Sequence, residues 1–345
     1  MRMKAAVFEG PEKISIRDVE LAPCGDDDVI MKVYACGLCG SDIRNYKTGL
    51  KGEVKSQIMG HEFTGTVAEI GRNVTRYKVG DRLAVAPDVS CGECWYCKRG
   101  LVNLCMNHRM VGTHWPGGFA EYVHLPRLVL DRGMVHHIPD GLSLEDAALS
   151  EPASSVIAAQ ENAGVGLGDT VLIIGDGPIG CLHIEVARAR GAAIVIMAGL
   201  MRLKEAERFK PDLLIDAGSQ DTVAEVLAAT DGLGADVAIA ANPVAATQAQ
   251  AVKAVRKRGR VVLFGGLPKT APETILDGNL IHYEEIQVMG AFSYPAHIHQ
   301  KALSTIKAGL IRPSMYFNLT VPLEDIVSGF AAATAGTALK VLVKP

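Results

Sequence analysis

The chain has 345 residues, 48% of them apolar and 5% aromatic, with 36 glycines and 35 basic residues against 38 acidic ones, a net charge of −3. That length points to two domains, and the charge balance gives no basic footprint for nucleic acid or an anionic membrane. The opening MRMKAAVFEGPEKISI alternates like a strand without a signal-peptide core, and no apolar run is long enough to span a bilayer, so a cytoplasmic protein is expected.

Residues 1 to about 150 read as β-rich, with short strands at Val29–Cys36, Gly65–Ile70, Asp81–Ala86 and Phe119–His124 between Gly, Pro and Asp turns. The texture changes at Glu151, where SEPASSVIAAQENAG is helical. Next come a strand at Thr170–Ile174, a helix at Ile179–Arg190, a strand at Ala193–Met197 and the helical RLKEAERF. Later come a strand at Asp236–Ala240, the amphipathic helix TQAQAVKAVRK and a strand at Arg260–Phe264. Strands alternating with helices of this length predict βαβ units and a parallel sheet. Beyond about residue 290, HIHQKALSTIKAGL reads as a helix and ALKVLVK as a last strand.

Four of the eight cysteines lie in CGECWYCKRGLVNLC, spaced C-x2-C-x2-C-x7-C. Cys91, Cys94, Cys97 and Cys105 can surround one tetrahedral Zn²⁺, and four thiolates leave no open position, so such a site is structural. An iron–sulfur cluster is the rival, but the ferredoxin spacing closes with C-x3-C-P, and here the last gap is longer with no proline after Cys105. The bland reading is four unligated cysteines. In a reducing compartment, clustered cysteines hold metal more often than they form disulfides.

Upstream, CGLCGSD contributes Cys39, MGHEF contributes His61 and Glu62, and LSEPASS contributes Glu151. A thiolate, an imidazole and a carboxylate with one position left to water make a catalytic zinc site. Taken singly, Cys36 and Cys39 could be a redox pair, His61 a structural histidine and Glu62 a surface charge.

DTVLIIGDGPIGCLHIEVARARGA is an apolar strand, a G-x-G-x-x-G turn and a helix. Gly175 makes the turn, Gly177 lets the backbone approach a pyrophosphate, and Gly180 lets helix and strand pack, with Pro178 and Ile179 opening the helix whose N-terminus faces the anion. An NAD site usually has an acid about 20 residues on. That place is Ala198-Gly199, with Arg202 and Lys204 close behind. A missing acid with nearby base leans toward a 2′-phosphate and NADP; the competing reading makes Arg202 and Lys204 the solvated face of a helix.

With CGLCGSD, GHEFTGTVAEIG, VGDRLAV, the four-cysteine loop, GGFAEYV, SEPASSV and VLIIGDGPIG in this order, the chain resembles the zinc-containing medium-chain dehydrogenase/reductase family over its whole length. Glu151 in place of a cysteine is similar to the sorbitol, threonine and sugar-alcohol branch. The resemblance implies an α/β protein: a GroES-like catalytic domain over 1–153 completed by 291–345, a Rossmann domain over 154–290, an interdomain cleft, and a homodimer or homotetramer. It further implies one catalytic zinc on Cys39, His61 and Glu62 or Glu151, one structural zinc on the four-cysteine loop, and Ser41 as acceptor of the alcohol proton. The implied activity is NAD(P)-dependent interconversion of a secondary alcohol of a polyol or sugar derivative and its ketone.

Many relatives carry a histidine relay three residues after this serine, where the chain has Arg44, which cannot be a neutral base. Arg44 would then bind an anionic group of the substrate, contact the cofactor or face solvent. His114 and Trp115 are pocket candidates, with loop packing as the alternative, and His183, His282 and His297 read as structural. A threonine-type amino-alcohol dehydrogenase is the runner-up, ahead of a noncatalytic relative or a zinc-ribbon nucleic-acid binder.

Overall fold

A computed structural model describes residues 1–50 and 54–345, which divide into two compact units. The first combines Met1–Ser154 with Ser293–Pro345. Its main sheet has seven strands, six of them in the order Met134–His137, Arg82–Ala86, Glu62–Ile70, Val29–Gly37, Lys340–Lys344 and Phe317–Pro322; Tyr122–Leu125 also pairs with Val29–Gly37. A three-stranded antiparallel sheet is built on Arg2–Gly10. Val29–Gly37 buries seven of its nine residues, leaving out only Lys32 and Tyr34, because neighbours cover both of its edges and nearly all of its surface. Phe8, Met31, Phe63, Leu83, Phe119 and Phe330 fill the core beside it, each at most 1% exposed.

The pairing that matters most for chemistry is the last one. Lys340–Lys344 runs antiparallel to Val29–Gly37, with Leu342 opposite Gly37 and Val343 opposite Cys36. Residues from the far end of the sequence are thereby stitched beside the Cys39 turn.

The second unit, Ser155–Phe292, holds a six-stranded sheet in the order Leu213–Asp216, Ile194–Gly199, Thr170–Ile174, Ala235–Ala240, Val255–Leu263 and Gln287–Gly290. Every pairing is parallel, and strand order reverses beside Thr170–Ile174, the doubly wound arrangement expected from the alternating βα pattern. Val171–Ile174 is buried throughout, which is why that stretch reads as a continuous apolar run. Among the described residues no helix is long and apolar enough to cross a membrane.

Two elements depart from the sequence reading. The helix expected over TQAQAVKAVRK stops at Lys253, and Val255 already starts a strand. A backbone irregularity carries that strand on, with Arg258 at φ 58° and a register shift against Ala235–Val237. The strand expected at Phe119–His124 is Tyr122–Leu125; Ala120 instead makes a single bridge to Ala5.

Candidate metal centres and dinucleotide turn

Cys39 caps the N-terminus of the helix Gly40–Thr48, where its sulfur accepts the Ser41 N–H at 3.5 Å and its own N–H donates to Asp42 Oδ2 at 3.0 Å. His61 precedes the strand Glu62–Ile70, and Glu62 begins it. One ligand atom each from Cys39, His61 and Glu62 falls within 4.8 Å of the others. Asp42 Oδ1 lies 3.3 Å from His61 Nδ1, so the carboxylate holds the proton there and leaves Nε2 for a metal. Ser41 Oγ sits 3.4 Å from that Nε2. Burial disfavours a charged His61, but Asp42 and Cys39 outweigh it and the net shift is upward.

Glu62 is the residue whose surroundings best test whether this trio fits a cation. It is 0% exposed, and neither carboxylate oxygen accepts a hydrogen bond. Lys340 Nζ stands 2.6 Å from Oε2 as an ion pair without hydrogen-bond alignment, and also donates to the Leu38 carbonyl at 3.4 Å. A buried carboxylate so poorly satisfied is costly unless it has a further partner. With a thiolate and an imidazole beside it, the donor set fits zinc. The space is bounded closely: a Cβ on Gly37, directly across the sheet, would lie 2.1 Å from Glu62 Oε2.

Glu151 stays outside this three-ligand cluster. Its Oε1 accepts the Tyr294 hydroxyl at 2.9 Å. Desolvation raises Glu151 to about 7, His61 pulls it down and Glu62 pushes it up, so it lies within electrostatic reach of the cluster.

In the four-cysteine loop, ligand atoms of Cys91, Cys94, Cys97 and Cys105 also lie within 4.8 Å of one another, and none forms a disulfide. Gly92 and Gly100, at φ 76° and 77°, make the reversals that bring the sulfurs together. Backbone N–H groups of Cys97 and Met106 lower the Cys94 thiol, while burial and the Cys94 side chain raise that of Cys97, so the sulfurs titrate together as one set. The arrangement is closed by its own four sulfurs and suits zinc.

The glycine turn matches its expected geometry. Gly175 has φ 128°, Gly177 caps the helix Pro178–Ala189 with open space where a Cβ would stand, and a Cβ on Gly180 would lie 1.7 Å from the Gly175 carbonyl. Pro178 and Ile179 form the first turn, and Ala198 is buried in the second strand.

The substrate candidates fare differently. Arg44 is exposed, one helical turn beyond Ser41. His114 Nδ1 accepts the Met110 N–H at 3.0 Å and Trp115 packs on the core of its unit, which is the loop-packing role. Four participants carry no local signal in the sequence: Asp42, Lys340, Tyr294 and Asp176, whose carboxylate gathers the backbone after the second strand of the parallel sheet.

Residues 25–140 match the alcohol dehydrogenase GroES-like domain, and residues 178–308 match the zinc-binding dehydrogenase model. The chain is 35% identical to sorbitol dehydrogenase of Bacillus subtilis (strain 168), over 99% of this chain and 97% of that protein. The chain belongs to the zinc-binding alcohol dehydrogenase family. This family member is also 32% identical to D-arabitol-phosphate dehydrogenase of Enterococcus avium, over 97% and 95% of the two chains. A solved structure described as a zinc-binding dehydrogenase of Sinorhizobium meliloti 1021, bound to NADP, superposes on this dehydrogenase with a TM-score of 0.92 at 33% identity, covering all of both chains.

Proposed function

We propose that the chain interconverts a secondary alcohol of a polyol or sugar derivative and its ketone, with NAD(P) as hydride carrier. The observation that carries the reading is the fully buried Glu62 carboxylate, ion-paired with Lys340 but accepting no aligned hydrogen bond, gathered with Cys39 and His61. These three would hold a catalytic zinc, with Glu151 in reserve as an alternative ligand, and the four-cysteine loop would hold a second, structural zinc. When bound, the catalytic ion lowers the pKa of the substrate alcohol and NAD(P) takes up the hydride. Sorbitol and arabitol phosphate in the relatives' names support a polyol substrate.

The chain's own residues supply the rest. Asp42 fixes the His61 tautomer. Ser41 takes the alcohol proton at Oγ and passes it to solvent, because Arg44 cannot serve as the relay. Tyr294 steadies Glu151 through its hydroxyl. Lys340 offsets part of the negative charge of Cys39 and Glu62. On cofactor choice, the nonacidic strand end with Arg202 and Lys204 argues for NADP, while the Asp176 carboxylate beside it argues the other way. The reading puts the enzyme in the cytoplasm, where its thiolates stay reduced, as a homodimer or homotetramer that light scattering would size.

The test is nicotinamide reduction by zinc-loaded protein, with NAD⁺ and NADP⁺ in parallel, against neutral polyols, phosphorylated polyols, aldonates and threonine. Turnover with one polyol class is expected. Turnover confined to threonine, or near-normal activity of Cys39→Ser in a metal-verified sample, would overturn the assignment.

A further inference from the structure

The second strand of the parallel sheet, Ile194–Gly199, ends without the acid that grips a ribose diol, yet a carboxylate occupies that place. A Cβ built on Gly199 would lie 2.5 Å from Asp176 Cβ and 2.6 Å from its Oδ2. Asp176, inside the glycine turn, has thus moved its side chain into the space of the side chain that position 199 lacks. The acid has not been lost from the pocket. It enters from the first strand's turn instead of the second strand's end.

The hydrogen bonds sharpen the point. Asp176 Oδ2 accepts three consecutive backbone N–H groups, from Leu200 at 2.8 Å, Met201 at 2.7 Å and Arg202 at 2.5 Å. Consecutive amides converging on one point form an anion-binding nest. Here a side chain of the protein already fills that nest, so these amides are not available to an incoming phosphate. Asp176 is 7% exposed, and its other oxygen, Oδ1, accepts no hydrogen bond among the described residues. Lys204, the other basic candidate, is exposed on its short helix.

We propose that Asp176 sets cofactor choice: Oδ1 accepts the adenosine ribose 2′-hydroxyl, while its charge and its occupation of the 200–202 amides exclude a 2′-phosphate, so that the enzyme uses NAD in preference to NADP. This rests on the dehydrogenase reading only through the glycine turn as the dinucleotide site. The substrate does not enter.

The experiment is direct binding of NADH and NADPH to the full chain by the fluorescence of the reduced nicotinamide, with AMP and adenosine 2′,5′-bisphosphate as competitors. Binding is read without turnover, so failure of the substrate assignment leaves it intact. The wild type should bind NADH about tenfold or more tighter than NADPH, the scale of one hydrogen bond to a charged acceptor. AMP should likewise compete better than the bisphosphate. Asp176→Asn keeps an acceptor for the loop amides and removes the charge; it should narrow the NADH/NADPH ratio by about tenfold. Asp176→Gly should lose the preference, and Asp176→Gly with Gly199→Asp, which returns the acid to the strand end, should restore it. Equal or tighter NADPH binding by the wild type, or an unchanged ratio in Asp176→Asn, overturns the proposal. Binding of neither nucleotide would overturn it together with the dinucleotide reading of the turn.

Discussion

Replacing Lys340 with methionine isolates the electrostatics of the candidate catalytic centre. Methionine matches the stem of the lysine and deletes only the ammonium, which is 2.6 Å from Glu62 Oε2. Lys340 is 5% exposed and Glu62 0%, so solvent cannot take over the lost partner. Breaking a buried pair by removing one member costs about 3–5 kcal/mol, because the other charge is left uncompensated. At roughly 2–4 °C per kcal/mol for a folding unit of this size, the metal-free variant should melt about 6–20 °C below the metal-free wild type. A bound cation gives Glu62 another partner, so zinc should recover a larger share of stability in the variant than in the wild type. Calorimetry of both proteins with zinc and after chelation reads the four melting temperatures. A metal-free Lys340→Met that melts within a degree or so of the wild type would refute the argument. It would mean that Glu62 reaches water or is protonated at no cost.

Gly180→Ala should abolish dinucleotide binding by fluorescence titration, because its Cβ would sit 1.7 Å from the Gly175 carbonyl and force helix and strand apart. Cys97→Ser should release one zinc equivalent in metal analysis and lower the melting temperature, while leaving Cys39, His61 and Glu62 in place. Tyr294→Phe removes the hydroxyl that donates to Glu151 and should lower kcat more than it raises KM; equal NADH affinity in variant and wild type checks that folding is intact. His183 is fully buried, and burial lowers it to about 3, below its unfolded value of about 6.5. A depressed imidazole stabilises the fold above the unfolded pKa and loses that contribution as pH falls from about 6.5 toward 3, roughly 2 kcal/mol by pH 5. His183→Gln should therefore lose about 2 kcal/mol less than wild type between pH 7 and pH 5 in urea titrations.

How much of this was legible depends on how local each signal is. The glycine turn was readable because strand, turn and helix follow one another within two dozen residues and each glycine has a steric reason. The four-cysteine loop was readable because the spacing itself brings the sulfurs together. Cys39, His61 and Glu62 were nameable from two short motifs, although their meeting depends on Val29–Gly37 pairing with Glu62–Ile70. Lys340 and Tyr294 were not, since they reach the centre only through the return of the chain to the first unit. Asp176 is a different kind of miss. Its position was in plain view inside GDGPIG, but a side chain's direction within a turn has no periodicity to betray it. The strands Leu213–Asp216 and Gln287–Gly290 escaped because each is only four residues long. The helix that should have ended at Lys253 was overrun because amphipathic spacing continues through Lys257, and only tertiary pairing turns Val255 into a strand.

The strand Lys340–Lys344 also sets a clock on biosynthesis. Lys340 and the Leu38 carbonyl that it touches are 302 positions apart. At translation rates of about 5–20 residues per second, roughly 15–60 s separate their emergence from the ribosome. Throughout that interval a nascent chain carries Cys39, His61 and Glu62 without the Lys340 countercharge, and the Cys36–Gly37 end of the strand Val29–Gly37 lacks its partner. The contiguous parallel-sheet unit has every strand it needs before then. The candidate metal centre therefore gains Lys340 only after the whole parallel-sheet unit has been made, and until then Cys39 is open to oxidation and the free end of the strand to edge-to-edge association.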